Sequence, residues 1–314
     1  MGRLVVKRLL LSLPLVLIVS MLTFVMQSLA PGDPAKRILG DQYTPEQYAT
    51  LRAQLGLDAP IHVRYWNWLK SVFEGSMGQS LYSHEPVTTV LNDRVGVTIS
   101  LVAATLVVAG VIAIGLGILS AVRKNGVLAR VVDVVSLAGH SVPTFWLGLG
   151  LVAVFSVQLG LFNSGGYIPP ERSLTGWAWS LILPVATLSF GAVALIAKLT
   201  RDSMLEVLDR EFITTLRARG VPERTIIFRH ALRSAAIPIV TALGLLLVGL
   251  LSGTVIVETV FGLPGLGGAA VLATTKQDAP LIQGVAVYFT LIVVVVNLII
   301  DILYAWLNPK ARIS

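Results

Sequence analysis

The chain has 314 residues, of which 55% are hydrophobic and 13% are charged, and its mean hydropathy is +0.80. This composition excludes a soluble globular domain and indicates a polytopic membrane protein. The formal net charge is +7 and there are no cysteines, which excludes disulfides and thiolate metal sites.

Six apolar segments are long enough to cross a bilayer, because about 20 helical residues span a hydrocarbon core of roughly 30 Å. They cover residues 9–29, 97–122, 131–161, 177–199, 235–257 and 281–306. The first is followed by Pro-Gly-Asp-Pro rather than by a small-residue cleavage site, so we expect it to be a retained helix and not a signal peptide. The chain is therefore predicted to be an all-α membrane protein with six transmembrane helices.

The segment between the first two spans, residues 30–96, is far longer than a connector requires. Thr44-Pro45-Glu46-Gln47 predicts a helix start, with Thr44 as N-cap, and Gly56 predicts its end. An aromatic-rich stretch follows, which fits a membrane-interface belt better than a ligand cage: Tyr65, Trp66, Trp68 and Phe73. We expect a small helical cap outside the membrane.

Polar and small residues within the spans suggest a pathway and packing sites. His140, Ser141 and Pro143 lie in the third span, where Pro143 frees a carbonyl and bends the helix, so these three are candidates for facing a transport pathway. The glycines of the second and fifth spans predict close helix approach: Gly110, Gly115, Gly117, Gly249 and Gly253. Asp301 is near the end of the sixth span and is expected to be interfacial or paired.

A basic segment, residues 198–233, separates the fourth and fifth spans and carries eight Lys and Arg against five Asp and Glu. Apolar residues from Met204 to Leu216 share one helical face, Gly220 predicts the end of that helix, and Pro222 predicts the first residue of another. Two interpretations remain from the residues alone. The segment is either a bent docking element for a partner or an amphipathic helix that lies on anionic lipid.

The segment between the fifth and sixth spans, residues 258–280, is rich in Gly and Pro. It predicts either a flexible turn or a semi-re-entrant loop at the outer mouth of a pathway. In the second interpretation, Phe261, Pro264, Gly265 and Gly267 face a partner outside the membrane.

Lys and Arg are distributed unequally between the two membrane sides. With the N-terminus inside, 16 lie on the inner side and eight on the outer side, so both termini are expected to be cytoplasmic. The positive charge then reflects membrane topology, and nucleic acid is not an expected partner.

Catalytic and metal-binding patterns are missing from the sequence. The four histidines are scattered, and His84-Glu85 lacks the second His of a zinc-protease motif because Thr88 occupies that position. No phosphate-binding Gly-x-x-x-x-Gly-Lys loop occurs. The chain is therefore expected to be non-catalytic and to bind no cofactor or metal itself.

Several motifs occur in a consistent order along the chain. They are Pro-Gly-Asp-Pro at 31–34, Leu-Gly-Leu-Asp at 55–58, Ser-Val-Pro-Thr-Phe-Trp at 141–146, Thr-Arg-Asp-Ser-Met-Leu-Glu-Val-Leu at 200–208 continuing to Arg-Ala-Arg-Gly at 217–220, Glu-Thr-Val-Phe at 258–261, Pro-Gly-Leu-Gly at 264–267 and Asp-Ala-Pro at 278–280. Together they resemble the permeases of bacterial dipeptide, oligopeptide and nickel ABC transporters. The sequence departs from that pattern at Thr214-Thr215-Leu216, where Arg-Thr-Ala is frequent, and at Asn308-Pro309-Lys310, where Asp-Pro-Arg is usual.

The resemblance implies a type I ABC importer permease that forms half of a translocation pathway in a bacterial inner membrane. It implies a tail and first helix over residues 1–30, an extracytoplasmic helical loop over 31–96 and a core over 97–314, with a coupling loop at 198–234 and an outer loop at 258–280. The implied partners are a second, similar permease, two cytosolic subunits that bind ATP and Mg²⁺, and an extracytoplasmic binding protein. The implied coupling residues are Thr215, Leu216, Arg217, Ala218, Arg219, Gly220, Val221, Pro222, Glu223 and Arg224.

Alternatives to a peptide importer remain open. The same architecture imports nickel complexes or glutathione, since the separate binding protein largely sets the substrate in this family. A secondary transporter driven by an ion gradient is a competing class, although such proteins commonly carry mid-membrane carboxylates and internal repeats that are not evident here. A polytopic membrane enzyme is a second competitor and lacks a visible catalytic constellation.

Overall fold

The computed structural model describes residues 2–30, 32–40, 42–124 and 126–307. Within these residues every regular element is a helix, apart from one isolated bridge between Gln79 and Pro86. The α-helices are α1 (Gly2–Leu29), α2 (Pro34–Leu39), α3 (Pro45–Gln54), α4 (Ile61–Phe73), α5 (Val87–Val122), α6 (Val127–Ser141), α7 (Thr144–Leu151), α8 (Leu174–Leu208), α9 (Glu211–Ala218), α10 (Glu223–Thr225), α11 (Leu232–Val260), α12 (Leu266–Lys276) and α13 (Ala279–Leu307). Two π-helical stretches, Val152–Gln158 and Ile226–Ala231, follow α7 and α10.

Five helical stretches are long and apolar enough to cross a membrane, which confirms five of the six predicted spans. They are Arg8–Leu29, Val87–Val122, Leu174–Leu208, Glu223–Val260 and Ala279–Ile302. These long apolar helices indicate a multi-pass membrane protein.

The third predicted span, residues 131–161, is divided into two helices. The chain forms α6, becomes extended at Val142 and begins α7 after Pro143, which is its N-cap. Proline has no N–H for a helical hydrogen bond and its ring disfavours a helical residue before it, so the helix breaks. The predicted bend at Pro143 is confirmed, and it takes the form of a complete interruption between two shorter helices.

The chain divides into two compact units. The first contains residues 2–96 and 265–294. Its buried core joins α12 to the parts of α5 and α13 that belong to this unit, through Val87, Leu91, Leu266, Ala269, Ala273, Leu281 and Val285. A β-carbon at Gly284 would lie 2.5 Å from Val87 Cγ1, so only glycine permits this close approach of α13 to α5. Gln283, which is buried on α13, donates from Nε2 to the Ser20 carbonyl on α1 at 2.7 Å.

Short-range sequence signals set the helices of the 30–96 segment. Thr44 and Gln47 form the predicted capping box, in which each side chain accepts a hydrogen bond from the other residue's backbone N–H. Gly56 has a φ of 62° and donates to the Ala53 carbonyl, while Leu57 donates to the Arg52 carbonyl. This pair of bonds is a Schellman motif, so Gly56 ends α3 as predicted.

An ionic network joins two of the sequence motifs of this segment. Arg52 lies on α3 and contacts Asp33 of the Pro-Gly-Asp-Pro motif through Nη1 at 3.0 Å and Asp58 of the Leu-Gly-Leu-Asp motif through Nε at 2.6 Å. Tyr48 donates to Asp33 Oδ2 at 2.5 Å, and Asp33 also accepts from the Ala35 N–H as the N-cap of α2. The two motifs therefore position α2 and α3 relative to each other.

The second unit contains residues 97–264 and 295–314, of which residues up to 307 are described. Helix α8 is its centre and packs against α6, α7 and α11. A β-carbon at Gly117 on α5 would lie 2.6 Å from Thr200 Cβ and 2.8 Å from the Ala197 carbonyl oxygen on α8. The predicted close approach is thus confirmed at Gly117. At Gly115 an added β-carbon would meet no atom within 4 Å, so no close approach occurs there.

Candidate functional site: the bend between α8 and α11

The candidate site is the bend segment, which we define as residues 209–225. Helix α8 runs without interruption to Leu208, and Arg210 is extended before α9 begins at Glu211. The expected single helix from Met204 to Leu216 is therefore wrong, because it divides at Asp209 and Arg210. This turn lets apolar residues of both α8 and α9 face the same core.

The bend segment rests on an apolar base. Ile213 on α9 and Ile226 after α10 are fully buried and pack with Met204 and Val207 of α8. The same cluster includes Ile118 and Ala121 of α5. It also includes Ala231 at the end of the second π-helical stretch and Ala235 and Ile239 of α11. Because the base contacts three long helices at once, the position of α9 is fixed relative to all of them.

Gly220 makes the sharp turn at the tip of the segment. It has a φ of 74°, a left-handed conformation that a residue with a β-carbon adopts only with strain. Gly220 donates to the Arg217 carbonyl at 2.9 Å and Val221 donates to the Leu216 carbonyl at 3.1 Å, which is a Schellman motif. No atom lies within 4 Å of an added β-carbon, so the requirement for glycine is one of backbone conformation and not of space.

The second arm of the bend is longer than the sequence predicted. Pro222 is the N-cap of α10 and not its first residue, and from Glu223 the chain stays helical through the π-helical stretch to Val260. Pro238 lies inside α11 and does not end the helix. The neighbouring π-helical stretch accommodates one extra residue per turn and keeps the helix continuous.

The charged residues of the bend segment fall into two groups. Arg217 pairs with Glu223 across the tip at 2.6 Å, and outside the tip Arg210 pairs with Glu206 at 2.7 Å. Arg219 and Arg224 are exposed and form no ion pair within the described part of the chain. The tip therefore presents two free guanidinium groups, of the type that pairs with carboxylates.

The ten residues predicted to couple the chain to a partner lie together on this bend. Eight of them are exposed, namely Thr215, Arg217, Ala218, Arg219, Gly220, Pro222, Glu223 and Arg224. Leu216 and Val221 are half-buried and join the apolar base. The surface available to a partner is consequently polar and basic.

An ionic cluster that the sequence analysis missed lies at the end of α8 that leads to the bend. Asp133 Oδ1 on α6 accepts from Lys198 Nζ at 2.8 Å and from Arg201 Nη1 at 2.5 Å. Asp202 contacts the same Lys198 at 3.3 Å. The Arg201 side chain is only 11% exposed, so this pair anchors α8 to α6 just before the helix leaves the core. Asp133 is a charged residue within an apolar segment, and this was the feature of the sequence that could have indicated the cluster.

The 258–280 segment is more ordered than either predicted interpretation. Its centre is helix α12, which follows a turn at 261–265. In the second unit, Phe261 is only 2% exposed and packs with Leu181 and Leu188, whereas Pro264 is exposed. In the first unit, Gly265 and Gly267 are buried. Of the four residues predicted to face a partner, only Pro264 is therefore available on the surface.

Glu258 is a buried carboxylate that the sequence analysis did not single out. It lies near the end of α11 and accepts a hydrogen bond from Thr98 Oγ1 at 2.6 Å, and both residues are almost completely buried. Its carbonyl accepts from the Leu263 N–H at 2.9 Å, which shapes the turn after α11. Burial of a carboxylate is tolerated when hydrogen bonds satisfy it.

The pathway candidates occupy the break between α6 and α7. Pro143 is the N-cap of α7 and is exposed. The side chains of His140 and Ser141 lie outside the described residues. Their role in a pathway stays a prediction. Among the described residues, no three His, Asp or Glu side chains group closely enough to hold a metal ion.

Comparison with a solved structure identifies the fold. The chain is similar to the methionine ABC transporter MetNI in inward-facing conformations, with a TM-score of 0.56 and 20% identity, over 70% of this chain and 97% of the solved chain. At this level of identity the likeness shows the fold alone, which is that of an ABC importer permease.

Curated relatives match along nearly the whole chain. A Brucella abortus protein named as a peptide transport system permease is 38% identical over 312 residues, which is 99% of each chain. A glutathione transport system permease protein of Salmonella typhimurium is 37% identical over 308 residues, which is 98% of each chain.

Two family descriptions match the sequence in order. Residues 1–102 match the N-terminal part of the membrane components of binding-protein-dependent transport systems, and residues 113–313 match their inner membrane component. The second match covers most of the chain, including the whole bend segment. The chain therefore belongs to the family of inner membrane components of binding-protein-dependent transport systems.

Proposed function

We propose that this chain is a non-catalytic permease subunit of an ATP-driven peptide importer, and that the bend segment receives the force of ATP hydrolysis from a cytosolic subunit. The observation that carries the proposal is the geometry of the tip. An exposed polar surface with two free arginines lies on an apolar base that contacts three long helices. A displacement of the tip is consequently transmitted to those helices.

The proposed partners follow from family membership and from this surface. A second, similar permease completes the pathway, two ATP-binding subunits contact the two bends, and an extracytoplasmic binding protein delivers substrate. Arg219 and Arg224 are placed to pair with carboxylates of an ATP-binding subunit. ATP and Mg²⁺ bind to that subunit and not to this chain.

Orientation in the membrane is part of the proposal. The bend segment and both termini lie on the cytoplasmic side of the bacterial inner membrane, because Lys and Arg concentrate there. The 30–96 segment and the turn at 261–265 then lie on the opposite side, where Pro264 is exposed to a binding protein.

Peptides are the proposed substrate class. Support comes from the relatives named as peptide permeases, which match 99% of this chain at 38% identity. Glutathione, itself a tripeptide, is the second candidate, because a relative named as a glutathione permease matches at 37% identity.

The test uses the assembled transporter in proteoliposomes and measures peptide uptake and the stimulation of ATPase activity by loaded binding protein. Gly220→Pro forces φ near −65° and removes the N–H donated to Arg217, so the tip cannot keep its shape. We expect normal insertion and subunit assembly, with uptake reduced roughly tenfold or more.

Gly160→Pro is the matched control, because Gly160 also has a positive φ of 62° and no atom within 4 Å of an added β-carbon, and the whole of α8 separates it from the bend segment in the chain. Uptake should survive this change. Unchanged uptake in Gly220→Pro would contradict the proposed coupling role. Uptake driven by an ion gradient without ATP would instead identify a secondary transporter.

A further inference from the structure

The first unit contains a cavity of about 390 Å³ that the transport proposal does not use. It lies between the last residues of α1, the connections around α2 and α3, the helix α4 and the start of α13. Its walls are mixed, with apolar groups such as Phe24 and Ile282 and polar groups such as Gln27 and Asn67. A cavity of this kind has the composition of a binding site for an amphipathic molecule.

Arg64 supplies the charge of this cavity. Among the described residues that line it, Arg64 is the only charged one, and none carries a carboxylate. Its guanidinium lies 5.7 Å from the centre of the Phe24 ring and forms no ion pair or hydrogen bond within the described part of the chain. Burial and the nearby charge of Arg52 lower the pKa of Arg64 below its ordinary value. A half-buried cation without a counter-ion is costly, and a bound anion would remove that cost.

Unsatisfied hydrogen-bond donors lie beside this arginine. Trp68 lines the cavity, and its indole Nε1 is buried without an acceptor in the part of the chain that the structure describes. Asn67, one residue earlier on α4, also lines the cavity. Arginine, an indole N–H and an amide N–H together offer donors to a group with several acceptor oxygens, such as a phosphate.

The position of the cavity beside α1 favours a lipid as its ligand. Helix α1 is an apolar span whose most apolar window is only 6% buried, so the rest of the chain leaves it largely uncovered, and the cavity lies at its last residues. Helix α4 exposes Trp66 and Phe73 to 66% and 82%, and large exposed aromatic side chains are enriched at membrane interfaces. The cavity is therefore accessible to the headgroups of the bilayer.

We propose that this cavity binds the headgroup of one anionic glycerophospholipid, with the phosphate at Arg64 and an acyl chain along the Phe24 side of α1. The lipid supplies the counter-ion that Arg64 lacks among the described residues, and its phosphate oxygens accept from Asn67 and Trp68. A zwitterionic headgroup fits less well, because its cationic end would find no carboxylate among the described lining residues. The site ties the 30–96 segment to the membrane and does not depend on the transported substrate.

The test counts lipids retained by the assembled transporter after mild delipidation, by native mass spectrometry, from nanodiscs of phosphatidylglycerol or of phosphatidylcholine. We expect one tightly retained phosphatidylglycerol per copy of this chain. Arg64→Gln should weaken its retention roughly tenfold or more, since a charge-assisted contact is lost. Arg64→Lys keeps the charge and should retain most of the binding.

Arg172→Gln is the matched control, because it removes the same charge from an exposed arginine outside the cavity, and it should leave retention unchanged. Equal retention by the wild type and Arg64→Gln, at equal thermal stability, would overturn the proposal. Displacement of the lipid by millimolar inorganic phosphate, with phosphate alone binding at Arg64, would overturn the lipid assignment. Equal retention of phosphatidylcholine would overturn the selectivity for an anionic headgroup.

Discussion

Arg217 Nε lies 2.6 Å from Glu223 Oε1, so that one ion pair joins the end of α9 to the start of α10 across Gly220. The sequence analysis assigned Arg217 to contacts with a partner subunit. The structure instead gives it an internal partner and leaves Arg219 and Arg224 as the exposed cations of the tip. Arg217 therefore shapes the bend, and its neighbours are the residues that a partner can reach.

A charge exchange tests this division of roles. Arg217→Glu places two carboxylates across the tip and should reduce ATPase stimulation several-fold through repulsion. The double variant Arg217→Glu with Glu223→Arg should restore it. Because both side chains are about half-exposed, the free energy of unfolding should change by less than about 1 kcal/mol in each variant. If the double variant stays as impaired as the single one, Arg217 acts on the partner and not on the bend.

A glycine pair on α5 tests the close approach of α5 to α8. Gly117→Ala would place a β-carbon 2.8 Å from the Ala197 carbonyl oxygen, which belongs to rigid backbone, so we expect a loss of about 1–3 kcal/mol. Gly115→Ala, half a turn away, meets nothing and should be neutral or stabilising by up to about 1 kcal/mol, because alanine favours helix. Thermal unfolding of the purified transporter measures both. Equal destabilisation by the two variants would show that the packing is not as described.

The cluster around Asp133 gives a third prediction. Asp133→Asn removes the counter-ion of Lys198 and of the largely buried Arg201, and should cost about 1–2 kcal/mol of stability. Asp202→Asn is the control, since Asp202 is more exposed and contacts only Lys198, so it should cost less than about 0.5 kcal/mol. Denaturation midpoints of the two variants make the comparison. A larger effect of Asp202→Asn would be inconsistent with Asp133 as the anchor.

Protonation of Asp33 at acidic pH should lower the stability of the 30–96 segment. Burial raises the pKa of this carboxyl, but hydrogen bonds from Tyr48 and Ala35 and the charge of Arg52 outweigh it, so the pKa lies below its ordinary value of 3.8. Asp33 therefore contributes stability that is fully present above the ordinary pKa and is lost as pH falls through the lower pKa of the folded state.

Tryptophan-fluorescence melting curves between about pH 6 and about pH 3 measure this contribution, because Trp66 and Trp68 lie on the neighbouring α4. The wild type should lose stability at the acidic end. Asp33→Asn should be less stable at neutral pH and should lose less on acidification. Parallel curves for the two proteins would show that other carboxyls control the acid response.

Signals that act within a few residues were readable from the sequence. The capping box of Thr44, the helix ends at Gly56 and Gly220 and the break at Pro143 depend on the local backbone, and the structure confirms each of them. The spans were readable for the same reason, since apolar length is a local property. Family membership was readable from the order of short motifs.

Features that depend on distant partners were not readable. Asp133 and Arg201 are separated by 68 positions, and nothing local pairs them. The division of the α8–α9 segment at Arg210 arises because both helices bury residues in one cluster, which a single straight helix could not do. Helix α12 was missed because its glycines indicate a loop by propensity, whereas Leu266, Ala269 and Ala273 stabilise it by packing.

The π-helical stretch Ile226–Ala231 has a mechanical consequence. It joins α10 to α11, so residues 223–260 form one uninterrupted rod that begins at the arginine-bearing tip and ends beside the buried Phe261. At about 1.5 Å per residue this rod is roughly 55 Å long, more than the thickness of a bilayer. Because the tip and the far end belong to one helix, a displacement of the tip reaches the far end without a relay of side chains between separate helices.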